Sequence, residues 1–313
     1  MTDKRLDLVS IGSWTIFDHI YRMSRYPEKG ATVTLDMPID QLNKIYFGVC
    51  SANVAAVSAK LGLRVGLGMV VGEDFVTSGY RDHLERLGVD LSGVEVIESE
   101  KSGHSYLYFD SNGDGFCLSH LGIAQNQQGW TVPEQIIRVS RAVVVNEQFS
   151  EYTLSAIRLA RSIGITTAIN GMVGTAGMNA RAFLEQADLL FIARDELTDL
   201  LSYLELTDVE ALHEWGPELI FVTLGQEGSR LYDQGNQYDI DIVPASTVVD
   251  TTGAGDAYVG GTLAAILKGY TPQQAGLLGS ATASHVVEDW GCQTRLPSWS
   301  EVIGRLNIHR GEN

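Results

Sequence analysis

Asp250-Thr251-Thr252-Gly253-Ala254-Gly255-Asp256-Ala257 is the stretch whose reading decides the fold. An extended, β-branched run, Ser246-Thr247-Val248-Val249, precedes it, and a run of small and apolar residues from 257 to 268 follows, stopped by Gly269. The pattern reads as strand, glycine turn, buried helix. A Gly-Ala-Gly turn at a helix start leaves consecutive backbone N–H groups unpaired, and the positive end of the helix dipole adds to them. Gly253, Ala254 and Gly255 are therefore read as an anion cradle. Asp256 stands in the same turn. A carboxylate beside a bound phosphate is unfavourable for static binding, because like charges repel. It is useful when the acid accepts a proton from a hydroxyl that attacks that phosphate. A lone turn of this kind is also a common packing device, with Asp favoured in a first helical turn, so the surrounding chain must decide.

Upstream, residues 142–145, 166–169, 189–192 and 219–223 read as buried strands separated by helical stretches. Nearer the start, residues 6–11 read as a strand running into Gly12-Ser13. Residues 52–61 are helical and stopped by Gly62, residues 65–71 form a buried strand, and residues 80–87 form a helix closed by Gly88. Alternation of this kind specifies an α/β fold with a mostly parallel sheet covered by helices on both faces. Two stretches break the rhythm. Residues 32–37 and 44–47 read as short strands without long helices. Residues 105–109 and 116–119 flank Asp110-Ser111-Asn112-Gly113-Asp114-Gly115, a hairpin by its turn chemistry. The expectation is one α/β domain over residues 1–313, in which segments 14–47 and 103–120 build a small β-sheet lid.

The 313-residue chain is 44% hydrophobic with 33 glycines, a composition that suits a loop-rich α/β enzyme. A formal net charge of −17 argues against nucleic acid and anionic membrane surfaces as partners. A nucleotide stays compatible, because Mg²⁺ and local N–H groups offset a global negative field. Cys50, Cys117 and Cys292 are scattered without a CxxC pair, which indicates neither a zinc site nor a disulfide framework. Met1-Thr2-Asp3-Lys4-Arg5 lacks the apolar segment of a signal peptide and no run reaches membrane-spanning length, so a cytoplasmic location is expected.

The octapeptide, unbroken from Asp250 to Asp256, resembles the second signature of the ribokinase-like (PfkB) carbohydrate kinases, the family that includes the B-type phosphofructokinases, adenosine kinase and ketohexokinase. The resemblance covers most of the chain and implies the ribokinase-like fold. Gly12-Ser13 followed by Asp18-His19 looks like the family's N-terminal motif, whose Asp holds sugar hydroxyls; one carboxylate accepts two hydroxyl protons. Phe47-Gly48-Val49-Cys50-Ser51-Ala52-Asn53 is similar to the first signature, which implies Gly48 and Asn53 at the substrate. Glu147, after Asn146, and Asn170 end strands, where α/β enzymes place ligands. They resemble family positions at the substrate and phosphates and at the nucleotide. Ala193-Arg194-Asp195-Glu196 stands where the family has Asn-x-x-Glu, which organises water around Mg²⁺; Glu196 matches. Thr223-Leu224-Gly225-Gln226-Glu227-Gly228 fits Thr-x-Gly-x-x-Gly, implying Thr223, Gly225 and Gly228 at the nucleotide, with adenine against the helix that carries Ser284. The resemblance further implies a monovalent cation such as K⁺ near Asp250 and Thr252, closed by the Gly291-Cys292 loop. His19 and His285 lie nearest these motifs and are read as structural.

Two positions depart from the pattern: Val49 replaces the second glycine of a pair, and Ala193 replaces Asn. The resemblance implies an ATP-dependent kinase that phosphorylates a hydroxyl of a sugar or other small polyhydroxy compound, with Asp256 as base. A nucleoside kinase presents the same ribose hydroxyl, and Tyr106, Tyr108 and Phe109 are candidates to stack on a base or to pack the lid. A catalytically inactive, sugar-responsive homologue is the third reading. The lid is also a candidate surface for pairing two copies.

Overall fold

The computed structural model describes residues 6–111 and 115–310. The reading of Met1 to Arg5, and of Asn112-Gly113-Asp114 in the expected hairpin turn, lies outside the described residues. The strands are β1 (Leu6–Ile11), β2 (Thr15–Arg22), β3 (Tyr46–Phe47), β4 (Val65–Gly72), β5 (Asp90–Ile97), β6 (Gly103–Phe109), β7 (Gly115–His120), β8 (Ser140–Asn146), β9 (Thr166–Asn170), β10 (Leu189–Ala193), β11 (Leu219–Thr223), β12 (Ser229–Asp233) and β13 (Asn236–Ile240). Nine of them form one sheet in the order β13-β12-β11-β10-β9-β8-β1-β4-β5, and four form a second sheet in the order β3-β2-β6-β7. The large sheet is parallel from β5 to β11 and ends in the antiparallel β12 and β13.

The helices are α1 (Cys50–Lys60), α2 (Asp74–Thr77), α3 (Tyr80–Arg86), α4 (Glu134–Arg138), α5 (Glu151–Ser162), α6 (Ala180–Leu184), α7 (Arg194–Tyr203), α8 (Ala254–Leu267), α9 (Pro272–Val286) and α10 (Trp299–Arg310). Successive residues of each central strand feed opposite cores. Leu8, Val144 and Phe191 pack with residues of α1, α8 and α9, whereas Val9, Val145 and Leu190 pack with residues of α5 and α6. Burial on both faces is why these strands read as unbroken apolar runs. Thr271 and Gln274 cap α9 reciprocally, with Pro272 at its first turn. The small residues of α8 have a packing cause. A Cβ on Gly260 would meet Val57 of α1 at 2.9 Å, and one on Gly261 would meet the Thr282 side chain of α9 at 2.5 Å. No described helix is long and apolar enough to cross a membrane.

Several expectations need correction. Residues 15–22, for which no element is expected, form β2, and the expected strand at 32–37 is reduced to a single Met23–Leu35 bridge. Residues 246–249 carry no strand; Val249 N–H instead donates to the Val287 carbonyl at 2.8 Å. The β12–β13 hairpin has no counterpart among the expected elements, because β13 is polar and exposed along most of its length and no apolar alternation marks it. Its Gln234-Gly235 turn, with both φ positive, was the available signal.

Candidate active site

The carboxyl ends of β1, β8, β9, β10 and β11 bring Gly12, Glu147, Asn170, Ala193 and Thr223 to one edge of the parallel sheet. Crevices at that edge are where open α/β sheets bind ligands. The second sheet faces it, and a cavity of about 460 Å³ lies between them, lined by Asp18, Asn53, Ser105, Glu147, Gly253 and Asp256 among others. A second cavity, about 280 Å³, lies across the glycine turn and is lined by Thr223, Gly225, Gly228, Ala254, Gly255 and Ser284. The turn is the wall between the two. Gly253 precedes α8 at φ 77, and a Cβ there would stand 2.7 Å from that of Cys292, so backbone angle and space both demand glycine.

Asp256 is buried, and burial raises its pKa, against the hydrogen bonds that favour the ionised form. Asn53 Nδ2 donates to its Oδ2 at 2.8 Å and Asn170 Nδ2 donates to its Oδ1 at 3.0 Å. Asn170 also donates to Asn146 Oδ1 at 3.0 Å, and Asn146 donates to Ser10 Oγ at 2.9 Å. Two amides thus clamp the carboxylate from α1 and β9. Asn170, expected with the nucleotide residues, contacts Asp256 instead, whereas Thr223, Gly225, Gly228 and Ser284 line the smaller cavity.

Asp18 points from β2 into the larger cavity. Burial, followed by the charges of Glu147, Asp250 and Asp256, pushes it up to about 8, opposed by a Cys292 thiol that donates to its Oδ2 at 3.7 Å. Glu147 is raised to about 7, by burial first and then by Asp256. A side chain at Gly48 would collide with the Asp18 carboxylate, so Gly48 exists to let that acid in. Val49, where the family has a glycine, has a positive φ, at φ 75 and ψ 128. That is strained for a β-branched residue. Val49→Gly is accordingly expected to be at least as stable to thermal unfolding as Val49→Ala, the reverse of the ordinary order, because only glycine relieves the angle.

The Asp250 carboxylate is engaged within its own loop: Thr252 N and Oγ1 donate to Oδ1 at 3.0 and 2.7 Å, and Gly291 N donates to Oδ2 at 2.9 Å. Glu196 accepts the Ala193 N–H at 2.9 Å, is raised above the usual carboxyl range by burial, and lines a pocket shared with Asn170, Gly253 and Asp256. Among the described residues no three His, Cys, Asp or Glu side chains converge to hold a metal. A Mg²⁺ carried by phosphates needs only one or two carboxylates, and Glu196 beside the cradle fits that demand. Among the described residues no Lys or Arg lines either cavity.

Tyr106 stacks on His19 with ring centroids 4.6 Å apart and Tyr108 stacks on Tyr21 at 5.1 Å; neither tyrosine lines the larger cavity. His19 Nε2 meets His104 Nδ1 at 3.0 Å in the same layer. The apolar wall is instead Trp14, Leu107, Phe149 and Met172, residues scattered through the chain that no local motif marks. All three cysteines, Cys50, Cys117 and Cys292, also reach this cavity. Burial pushes the Cys50 and Cys292 thiols well up, so both are neutral hydrogen-bonding groups.

The model of the pfkB family carbohydrate kinases matches residues 14–299. A nucleoside kinase of Methanothermobacter thermautotrophicus is 32% identical over 309 residues, covering 97% of each chain. The crystal structure of Methanocaldococcus jannaschii nucleoside kinase superimposes with a TM-score of 0.84 at 26% identity, over 98% of this chain and 99% of that one. The structure of Arabidopsis thaliana ribokinase complexed with ribose and ATP shares the fold at a TM-score of 0.78 and 24% identity, over 96% of this chain and 98% of that one.

Proposed function

Because the chain belongs to the pfkB family of carbohydrate kinases, we propose that it transfers the γ-phosphoryl group of ATP to the primary hydroxyl of an uncharged ribosyl compound, with a nucleoside as the preferred acceptor. One observation carries the reading. The larger cavity combines three acids, Asp18, Glu147 and Asp256, with an apolar wall and, among the described residues, no Lys or Arg. Such a lining offers an anionic sugar phosphate or sugar acid no counter-charge, which disfavours it against an uncharged acceptor. The wall of Trp14, Leu107, Phe149 and Met172 offers an apolar surface that a free pentose has no group to cover, whereas a base does. The likeness to archaeal nucleoside kinases supports the same choice.

In this reading the whole chain acts as one α/β unit, with the β3-β2-β6-β7 sheet as a lid over the acceptor. The acceptor's ribose hydroxyls meet Asp18 and Asn53. ATP occupies the smaller cavity, its terminal phosphates against the N–H groups of Gly253, Ala254 and Gly255. Mg²⁺, when bound, neutralises charge on those phosphates and is steadied by Glu196. The Asp250–Thr252–Gly291 loop is the place for a monovalent cation such as K⁺. Asp256 Oδ takes the proton of the attacking hydroxyl. The transition state of phosphoryl transfer is loose, so orienting that hydroxyl matters more than the strength of the base. The two amides on Asp256 supply the orientation.

The deciding experiment measures ADP release with nucleosides, free pentoses and phosphorylated sugars under equal Mg²⁺–ATP. Nucleosides are expected to give the highest kcat/KM and sugar phosphates the lowest. A preference for free pentose or for a sugar phosphate overturns the acceptor assignment, and no ADP from any acceptor means an inactive homologue.

Glu196→Gln keeps an oxygen for the Ala193 N–H and removes the charge, so it is expected to raise the Mg²⁺ concentration needed for half-maximal rate. Ala193→Asn, which restores the family residue, is expected to lower it. If titrations of both variants overlay the parent's, Glu196 has no role at the metal.

A further inference from the structure

Behind the acceptor cavity a buried chain of hydrogen bonds continues past Asn53, through a residue that no motif singled out. Gln293 Nε2 donates to Asn53 Oδ1 at 2.8 Å and to Tyr80 Oη at 2.6 Å. Tyr80 Oη donates to the Gly48 carbonyl at 2.7 Å, and Gln293 Oε1 meets His83 Nε2 at 3.1 Å. Gln293 is buried, does not line the acceptor cavity, and follows the Gly291-Cys292 pair that contacts Asp250 and Asp18.

The directions of these bonds follow from one fact. An ionised Asp256 only accepts, so Asn53 must turn its NH₂ toward it and its oxygen away. That oxygen needs a donor, which forces the Gln293 NH₂ to face Asn53 and leaves the Gln293 oxygen for His83. An amide is nearly symmetric in shape, and its last torsion has two broad wells. Without Gln293 the Asn53 oxygen loses its donor, and the amide is held at one end alone, by the carboxylate it must orient.

We propose that Gln293 is a positioning residue, which fixes the Asn53 amide in the orientation that holds Asp256 and ties both to the Gly48–Val49 turn and the 291–293 loop. The proposal rests on the kinase reading above. Gln293 touches neither acceptor nor nucleotide; it acts through Asn53.

Gln293→Met keeps the bulk and removes the donor, and Gln293→Glu keeps the shape but leaves an ionised side chain that only accepts. Each is assayed in the full chain with the best acceptor of the panel. kcat is expected to fall about 10-fold or more, the worth of a hydrogen bond to a charged group, with the KM for ATP changed less than about twofold. The same substitutions are then made in Asn53→Ala. With no amide left to turn, each is expected to cost less than about twofold in kcat, the non-additivity of residues acting as one unit. A parent that releases ADP while both Gln293 variants keep their kcat overturns the proposal and leaves the kinase reading intact. So does an equal loss with and without Asn53, which marks a packing role. A parent inactive with every acceptor overturns the kinase reading instead.

Discussion

Asp256→Asn is expected to lower kcat by about 10²–10⁴-fold, the usual worth of a positioned acid or base. The substitution preserves side-chain shape and leaves the backbone of Gly253 to Gly255 intact, so the Kd for ATP should change little. The surroundings make the loss more severe than charge removal alone. Asn53 and Asn170 both point NH₂ groups at this side chain. A carboxylate accepts from both, whereas an amide accepts with its oxygen and sets its own NH₂ against the other donor. The variant therefore loses the proton acceptor and one arm of the clamp together. Turnover near that of the parent on the same acceptor would remove Asp256 from the chemistry.

Asp18→Ala, assayed above pH 8 where the parent's carboxyl is ionised, should lower kcat/KM for the acceptor by roughly 10- to 150-fold, from charge-assisted bonds worth about 1.5–3 kcal/mol each. Binding of ATP should be nearly unaffected, because the smaller cavity lies across the glycine turn. Equal losses for ATP and acceptor would indicate a folding defect and sink the assignment. The same residue carries a stability signature. Its pKa rises from 3.8 to about 8 on folding, so between those values the folded chain holds a proton that the unfolded chain releases. The stabilisation this brings is complete below the lower value and is lost as pH rises through the upper one. Asp18→Asn mimics the protonated form at every pH. It should therefore raise Tm relative to the parent more at pH 8 than at pH 5, while still impairing acceptor use. A Tm difference independent of pH would mean that Asp18 is ionised and compensated in the free protein.

The amino-acid sequence by itself determined the main architecture and the chemistry of the turn. Strands buried on both faces write continuous apolar runs, and helices packed against them write small-residue or amphipathic ones; both signals are local and survive without neighbours. Gly253-Ala254-Gly255-Asp256 is equally local, because the cradle and its acid belong to one turn of backbone. Strands β2, β5, β12 and β13 were not legible: β5 and β13 are edge strands, β12 is a short strand between β13 and β11, and β2 takes its structure from β6, distant in sequence. Tertiary structure alone decided the rest. It set Asn170 against Asp256, turned Tyr106 and Tyr108 away from the larger cavity, and gathered Trp14, Leu107, Phe149 and Met172 into one wall. It also raised Asp18 to about 8 and Glu147 to about 7, shifts that arise when burial removes water from acids contributed by separate elements. The physical reason is range. Propensity, capping and turn geometry act over a few neighbouring residues, whereas desolvation, hydrogen-bond direction and cavity shape depend on which distant segments the fold brings together.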